Sequence, residues 1–165
     1  MDSALQHTMT SSALNAPGRP QCDGCGFCVT RCISEQVGRR LRGAGLRLTR
    51  QRIELARILF SAADGHFTAE RLHGEALQRN TPVALATVYN TLQQLTEAGL
   101  LRRLPTDGRK TWFDTNLSDH HHIFLSDDES IIDIPEDCVT INSLPHVPAE
   151  MEIERIEVMV RLRRK

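Results

Sequence analysis

The 165-residue sequence has no apolar run approaching the roughly 18 residues of a membrane span. Its first residues lack the basic-then-apolar layout of a secretory signal, so a cytoplasmic protein with no membrane partner is expected. It shows no internal repeat, which removes solenoid and propeller architectures. There is no H-E-x-x-H pair and no G-x-S-x-G elbow, so a hydrolase built on its histidines has no framework, and an enzyme is not expected. Cysteine is scarce outside one stretch: of five, four fall between Cys22 and Cys32, and Cys138 is the fifth. In a reducing compartment that crowding excludes a disulfide framework and points to metal or redox chemistry.

What is present is an ordinary globular composition, 40% apolar and 25% charged, with an uneven distribution of charge. From residue 37 to 117 there are 13 Arg and Lys against 7 Asp and Glu; from 118 to 165 there are 5 against 11. A middle of net charge +6 beside a tail of −6 suits one part that meets a polyanion and another that does not.

Residues 1–21 are polar, rich in Ser and Pro, and without periodicity, so they read as a mobile arm that leads into the cysteine stretch. A short helical stretch is expected from Ser34, closed by Gly43 and Gly45. Three helical patterns follow. Thr49 caps the first, with Ile53, Ala56, Leu59 and Phe60 on one face; Thr68 caps the second, with Ala69, Leu72, Ala76 and Leu77 as its stripe. In the third, Val88, Leu92 and Leu95 recur at helical spacing, Asn90, Gln93, Gln94 and Glu97 make a polar far side, and Gly99 ends the helix. A Pro-Thr-Asp-Gly turn then joins two short strand-like runs. Three helices followed by a basic hairpin give the order of a winged helix-turn-helix.

Beyond Leu117 the pattern is mostly strand. H-H-H-I-F-L-S and S-I-I-D-I flank the acidic turn Asp127–Glu129, and Ile156, Val158, Val160 and Leu162 alternate with polar residues, Glu157 among them. So small a sheet completes its burial best against a second copy. The expected fold class is therefore α+β: a 1–33 arm carrying the cysteines, a 34–116 winged-helix domain, and a 117–165 mostly-β (α/β) dimerisation and sensing domain.

A helix that reads DNA needs small or polar residues near its N-terminus, where side chains reach base edges. Thr87 suits a thymine methyl, Asn90 an adenine edge, and Tyr89 a base face or a phosphate. Arg47, Arg50 and Arg52, with Arg109 and Lys110 on the wing, are placed to neutralise flanking phosphates. Double-stranded operator DNA is the expected partner. In the triplet His120, His121 and His122, strand alternation puts His120 and His122 on one side, and neutral imidazole suits haem, iron or another divalent metal. Cys22, Cys25, Cys28 and Cys32 follow C-x2-C-x2-C-x3-C, the spacing of bacterial-type ferredoxins, and an Fe–S cluster or a zinc ion is the expected guest. An Fe–S or redox protein built on that run is the alternative reading, although no second run of the kind exists.

At G-L-R-L-T-R-Q-R, H-F-T-A-E-R-L, A-L-A-T-V-Y-N-T-L-Q-Q-L-T-E-A-G-L-L and G-R-K-T-W-F-D-T the sequence resembles the ferric uptake regulator superfamily. Through D-T-N-L-S-D-H-H-H-I-F-L, S-I-I-D-I-P and the closing V-R-L-R-R-K it is most similar to the Irr branch, the iron response regulators. The resemblance implies a homodimer of winged-helix domains and iron-governed operator binding by a repressor. It implies DNA contact by Tyr89 and Arg47, and metal ligation by His66, Asp114 and one histidine of the triplet, best matched by His122. The last histidine of the family's run is replaced by Phe124, and Ile123 stands where its acid would be. The Irr branch further implies haem as effector at the triplet.

Overall fold

The computed structural model describes residues 26–61, 65–106 and 110–165, with side chains from Ile33 onward. Cys22, Cys25 and Arg109 lie outside the described residues; Cys28 and Cys32 fall in the first helix, α1 (Gly26–Gly43). That helix begins eight residues before Ser34, because no proline or capping break interrupts the chain between Gly26 and Gly43. Among the described residues no helix is long and apolar enough to cross a membrane.

Three further helices follow: α2 (Arg50–Leu59), α3 (Ala69–Gln78) and α4 (Leu85–Glu97). The Thr49 hydroxyl accepts from the Arg52 N–H and the Thr68 hydroxyl from the Arg71 N–H, both at 3.2 Å. Each cap stabilises its helix by about 1 kcal/mol. Gly99 takes a φ of +66° just beyond α4, a conformation open to glycine at little cost. Leu41, Leu55, Leu59, Leu72, Val88, Leu92 and Leu95 are completely buried and form one core across the four helices. Leu77 is not in it; it is 50% exposed, since α3 turns it past the edge of the apolar stripe.

Two small sheets complete the chain. The wing sheet runs β1 (His66–Phe67), β3 (Trp112–Asp114), β2 (Arg102–Leu104), all antiparallel. It brings His66 opposite Asp114. Gly65 is required at the entry to β1, because a Cβ there would sit 2.6 Å from the Phe67 ring. The second sheet runs β5 (Ser130–Pro135), β4 (His120–Leu125), β6 (Met159–Leu162), with β5 antiparallel and β6 parallel to β4. A single 3₁₀ turn, Glu136–Cys138, follows β5, so this part is mostly β.

Parity along β4 divides the second sheet into two unlike faces. His120, His122 and Phe124 share a side with their cross-strand partners Pro135, Asp133 and Ile131. That side meets the wing: the Phe124 and Trp112 rings meet edge-on at 6.5 Å, and Arg102 donates to the carbonyls of Leu117 (2.7 Å) and Ser118 (3.0 Å). The other side carries Ile123, Leu125, Ile132, Ile134, Val160 and Leu162. Ile132, Val160 and Leu162 there are 49%, 39% and 45% exposed, so the apolar face expected on the last strand is uncovered within one chain.

Candidate metal centre and nucleic-acid interface

His66 ends its segment at the start of β1, Asp114 closes β3, and His120 and His122 project from β4 on one side. Asp133 of β5 joins them because it pairs with His122 in register. One ligand atom from each of His66, His120, His122 and Asp133 lies within 4.8 Å of all the others. The Nε2 atoms of His120 and His122 are 2.9 Å apart, and Asp133 Oδ1 is 2.9 Å from His66 Nε2. Asp114 Oδ2 approaches the same point, 3.1 Å from His120 Nε2 and 3.6 Å from His122 Nε2.

Apart from the His120–His122 pair, these atoms are close without being aligned on one another. His66 Nε2, Asp114 Oδ2 and Asp133 Oδ1 are buried and make no well-directed hydrogen bond. Orphaned buried donors and acceptors of this kind are rare unless something else satisfies them. Three imidazoles and two carboxylates converging on one buried point fit a divalent metal ion in chemistry and in number. Asn116 holds the two acids from behind: its N–H donates to Asp114 Oδ1 (2.7 Å) and its side-chain amide to Asp133 Oδ2 (3.2 Å). Burial depresses the His66 pKa, against the opposing pull of Asp133 and Asp114, a shift that favours the neutral ring a metal needs. Burial also pushes the Asp114 carboxyl upward, but His122, the Asn116 N–H, His66 and His120 outweigh it and leave the pKa lowered.

Of the five residues expected to hold haem or a metal, His66, Asp114, His120 and His122 are brought together. His121 is not with them. Alternation turns it to the opposite face, where its Nδ1 accepts from the Val158 N–H at 3.4 Å. Asp133 was missed, although the hairpin register could have found it: with Leu125 paired to Ser130 across the acidic turn, counting back sets His122 against Asp133.

Among the described residues expected to meet DNA, all but Lys110 of the wing belong to the helical part. Arg47, Arg50, Tyr89 and Asn90 are exposed and Thr87 is half-buried near the start of α4. Others have internal partners. The Arg52 guanidinium donates to the Arg47 carbonyl and to Gln94 of α4, which ties the two helices together. The Tyr89 hydroxyl donates to Glu70 of α3, which lowers the Glu70 pKa and raises that of Tyr89. Lys110 pairs with Glu129 in the β4–β5 turn, a link from wing to sheet.

Residues 43–160 match the sequence profile described as "Ferric uptake regulator family". The chain is 36% identical over 113 residues to the ferric uptake regulation protein of Pseudomonas fluorescens, covering 67% of this chain and 89% of that one. Its structure resembles that of the Vibrio cholerae ferric uptake regulator with a TM-score of 0.63 at 22% identity, covering 76% of this chain and 98% of that one. It also resembles the Pseudomonas aeruginosa ferric uptake regulator solved with manganese, with a TM-score of 0.60 at 26% identity and coverage of 78% and 97%. The winged-helix order, the small sheet behind it and this match agree, and they do not favour an electron carrier built on the cysteines. The chain belongs to the ferric uptake regulator family of transcription regulators.

Proposed function

We propose that this protein is a homodimeric, operator-binding repressor of iron and haem homeostasis genes, whose grip on DNA is set by a divalent metal at His66, Asp114, His120, His122 and Asp133. The observation that carries the reading is the buried, unaligned set of Nε2 and carboxylate oxygens. It bridges the wing sheet, through His66 and Asp114, and the second sheet, through His120, His122 and Asp133. A charge bound there would neutralise the two acids and hold the DNA-reading part against the dimerising part. What the chain itself contributes is a neutral His66, two acids fixed by Asn116, and histidines whose direction strand parity sets. Coupling between such a site and DNA is typically worth about 1–3 kcal/mol.

Iron as the signal, and the Irr branch, rest on the sequence resemblance. Haem at the triplet has less support than an ion: His122 is wholly buried, and three Nε2 atoms drawn to one point suit a single small ion better than a planar macrocycle. DNA recognition through α4 is supported by the exposure of Tyr89 and Asn90. The homodimer is supported by the uncovered apolar face of Ile132, Val160 and Leu162.

The test is a parallel titration of the purified full chain with Mn(II), Zn(II) and haem, beside a His120→Ala/His122→Ala variant. The expected result is saturable binding of one ion per chain, lost in the variant. Wild-type protein that binds no ion, or a variant that binds as tightly, would overturn the site; a saturating Soret shift confined to wild type would replace the ion by haem.

A further inference from the structure

The alternation of the last strand assigns Glu157 to a solvent-facing polar row, yet the side chain is only 15% exposed and its Oε1 is buried. It lies 3.3 Å from Nδ1 of His122, the ring nitrogen on the far side from the converging Nε2 atoms. Both atoms are buried, and neither has a well-directed hydrogen bond, to the other or elsewhere. The backbone beside it is held to the same strand: the His122 N–H donates to the Val158 carbonyl at 2.9 Å, and the Val158 N–H donates to His121 Nδ1 at 3.4 Å. Directly after it, β6 begins its parallel pairing with β4 at Met159 opposite His122. Glu157 therefore stands where an otherwise irregular, exposed segment, 139–158, returns to the sheet.

We propose that Glu157 is a positioning residue for the metal centre: its carboxylate accepts from His122 Nδ1–H, fixes that tautomer, and leaves Nε2 as the ligating lone pair. This rests on the reading of the His/Asp cluster as a metal site. A ligating histidine nearly always gives its other ring N–H to a carboxylate, carbonyl or water, which orients the ring and raises its basicity. His122 is sealed from water and has no other acceptor at that nitrogen. The outer partner here comes from the root of β6, the strand that adds Val160 and Leu162 to the uncovered apolar face. Holding His122 in its ligating tautomer thus also holds the start of β6 on β4. Occupancy of the site and the order of β6 become one event, and the centre reaches the dimerising face without any ligand lying on that face.

The experiment is a Co(II) titration of the full chain followed by its visible bands, in wild type, Glu157→Gln and Glu157→Ala. Deuterium uptake of the peptide spanning 157–162 is measured with and without the metal. Glu157→Ala is expected to bind Co(II) roughly 10–100-fold more weakly, with shifted bands. Glu157→Gln, whose amide oxygen can still accept from Nδ1–H, is expected to keep most of the affinity and the wild-type spectrum, which also shows that the position tolerates change in a folded chain. Metal should slow exchange of the 157–162 peptide in wild type and much less in Glu157→Ala. Wild-type affinity and spectrum in Glu157→Ala would overturn the proposal, as would a loss in Glu157→Gln equal to that in Glu157→Ala. Failure of wild type itself to bind Co(II) would instead overturn the metal site on which it rests.

Discussion

Asp133 and His121 show how much turns on one residue's parity. Asp133 faces the cluster because it pairs with His122; His121, one step along the strand from His122, faces away. Replacing Asp133 with Ala is expected to lower Mn(II) affinity by at least the roughly 10–100-fold seen when outer partners of a ligand are lost, while His121→Ala leaves it near wild type. Competition titration against a metal indicator measures both. Near neutral pH, part of the acid response is expected from His66. Its pKa is lowered by burial, so the folded chain takes up that proton less readily than the unfolded one. Its contribution to stability is present above the ordinary histidine value of about 6.5 and is lost as pH falls towards the folded value. Melting temperatures of metal-free protein should therefore decline below about pH 6.5, and less so in His66→Asn. An equal decline in that variant would assign the acid sensitivity elsewhere. The clustered imidazoles of β4 were legible in the sequence, because a histidine triplet in a strand is a local signal. Asp133 and Glu157 were not, since Asp133 reaches the site through pairing between strands and Glu157 where the chain returns to β4, not through their own neighbours.

At the scale of the element, α4 is buried on one side and exposed on the other. Leu92 is completely buried in the helical core, and Leu92→Ala is expected to cost about 2–5 kcal/mol in chemical denaturation. Asn90 is exposed, so Asn90→Ala should leave stability within about 0.5 kcal/mol while costing about 1–3 kcal/mol in operator binding, with discrimination relaxed at one base pair. Operators recovered from random duplex provide the assay. If Asn90→Ala bound every sequence as wild type does, α4 would not be reading bases through that residue. Helices were the most legible part of the chain: Thr49 and Thr68 cap where their side chains say they should, and Gly99 stops α4. The start of α1 was not, because Ser34 is as compatible with a helix interior as with a cap when nothing upstream breaks the helix. Leu77 was misplaced because helical spacing gives a stripe its direction but not its width.

For the molecule as a whole, the second sheet sets the His/Asp cluster and the wing on one face and an uncovered apolar layer on the other. If that layer is the dimer surface, Val160→Asp should yield monomers by sedimentation velocity, with the ion still bound because Val160 faces away from His122. A dimer unchanged by this charge would move the interface elsewhere. The composition had separated a basic half from an acidic one, and the structure shows the two joined through His66 and Asp114 on one side and His120, His122 and Asp133 on the other. The claim that this junction governs DNA binding is tested most directly by fluorescence anisotropy on a selected operator, at fixed salt, for wild type and Asp133→Ala with and without Mn(II). The account predicts that metal changes the wild-type operator affinity by about 5–150-fold and leaves that of Asp133→Ala nearly unchanged. Equal operator affinity in wild type with and without bound metal would contradict it.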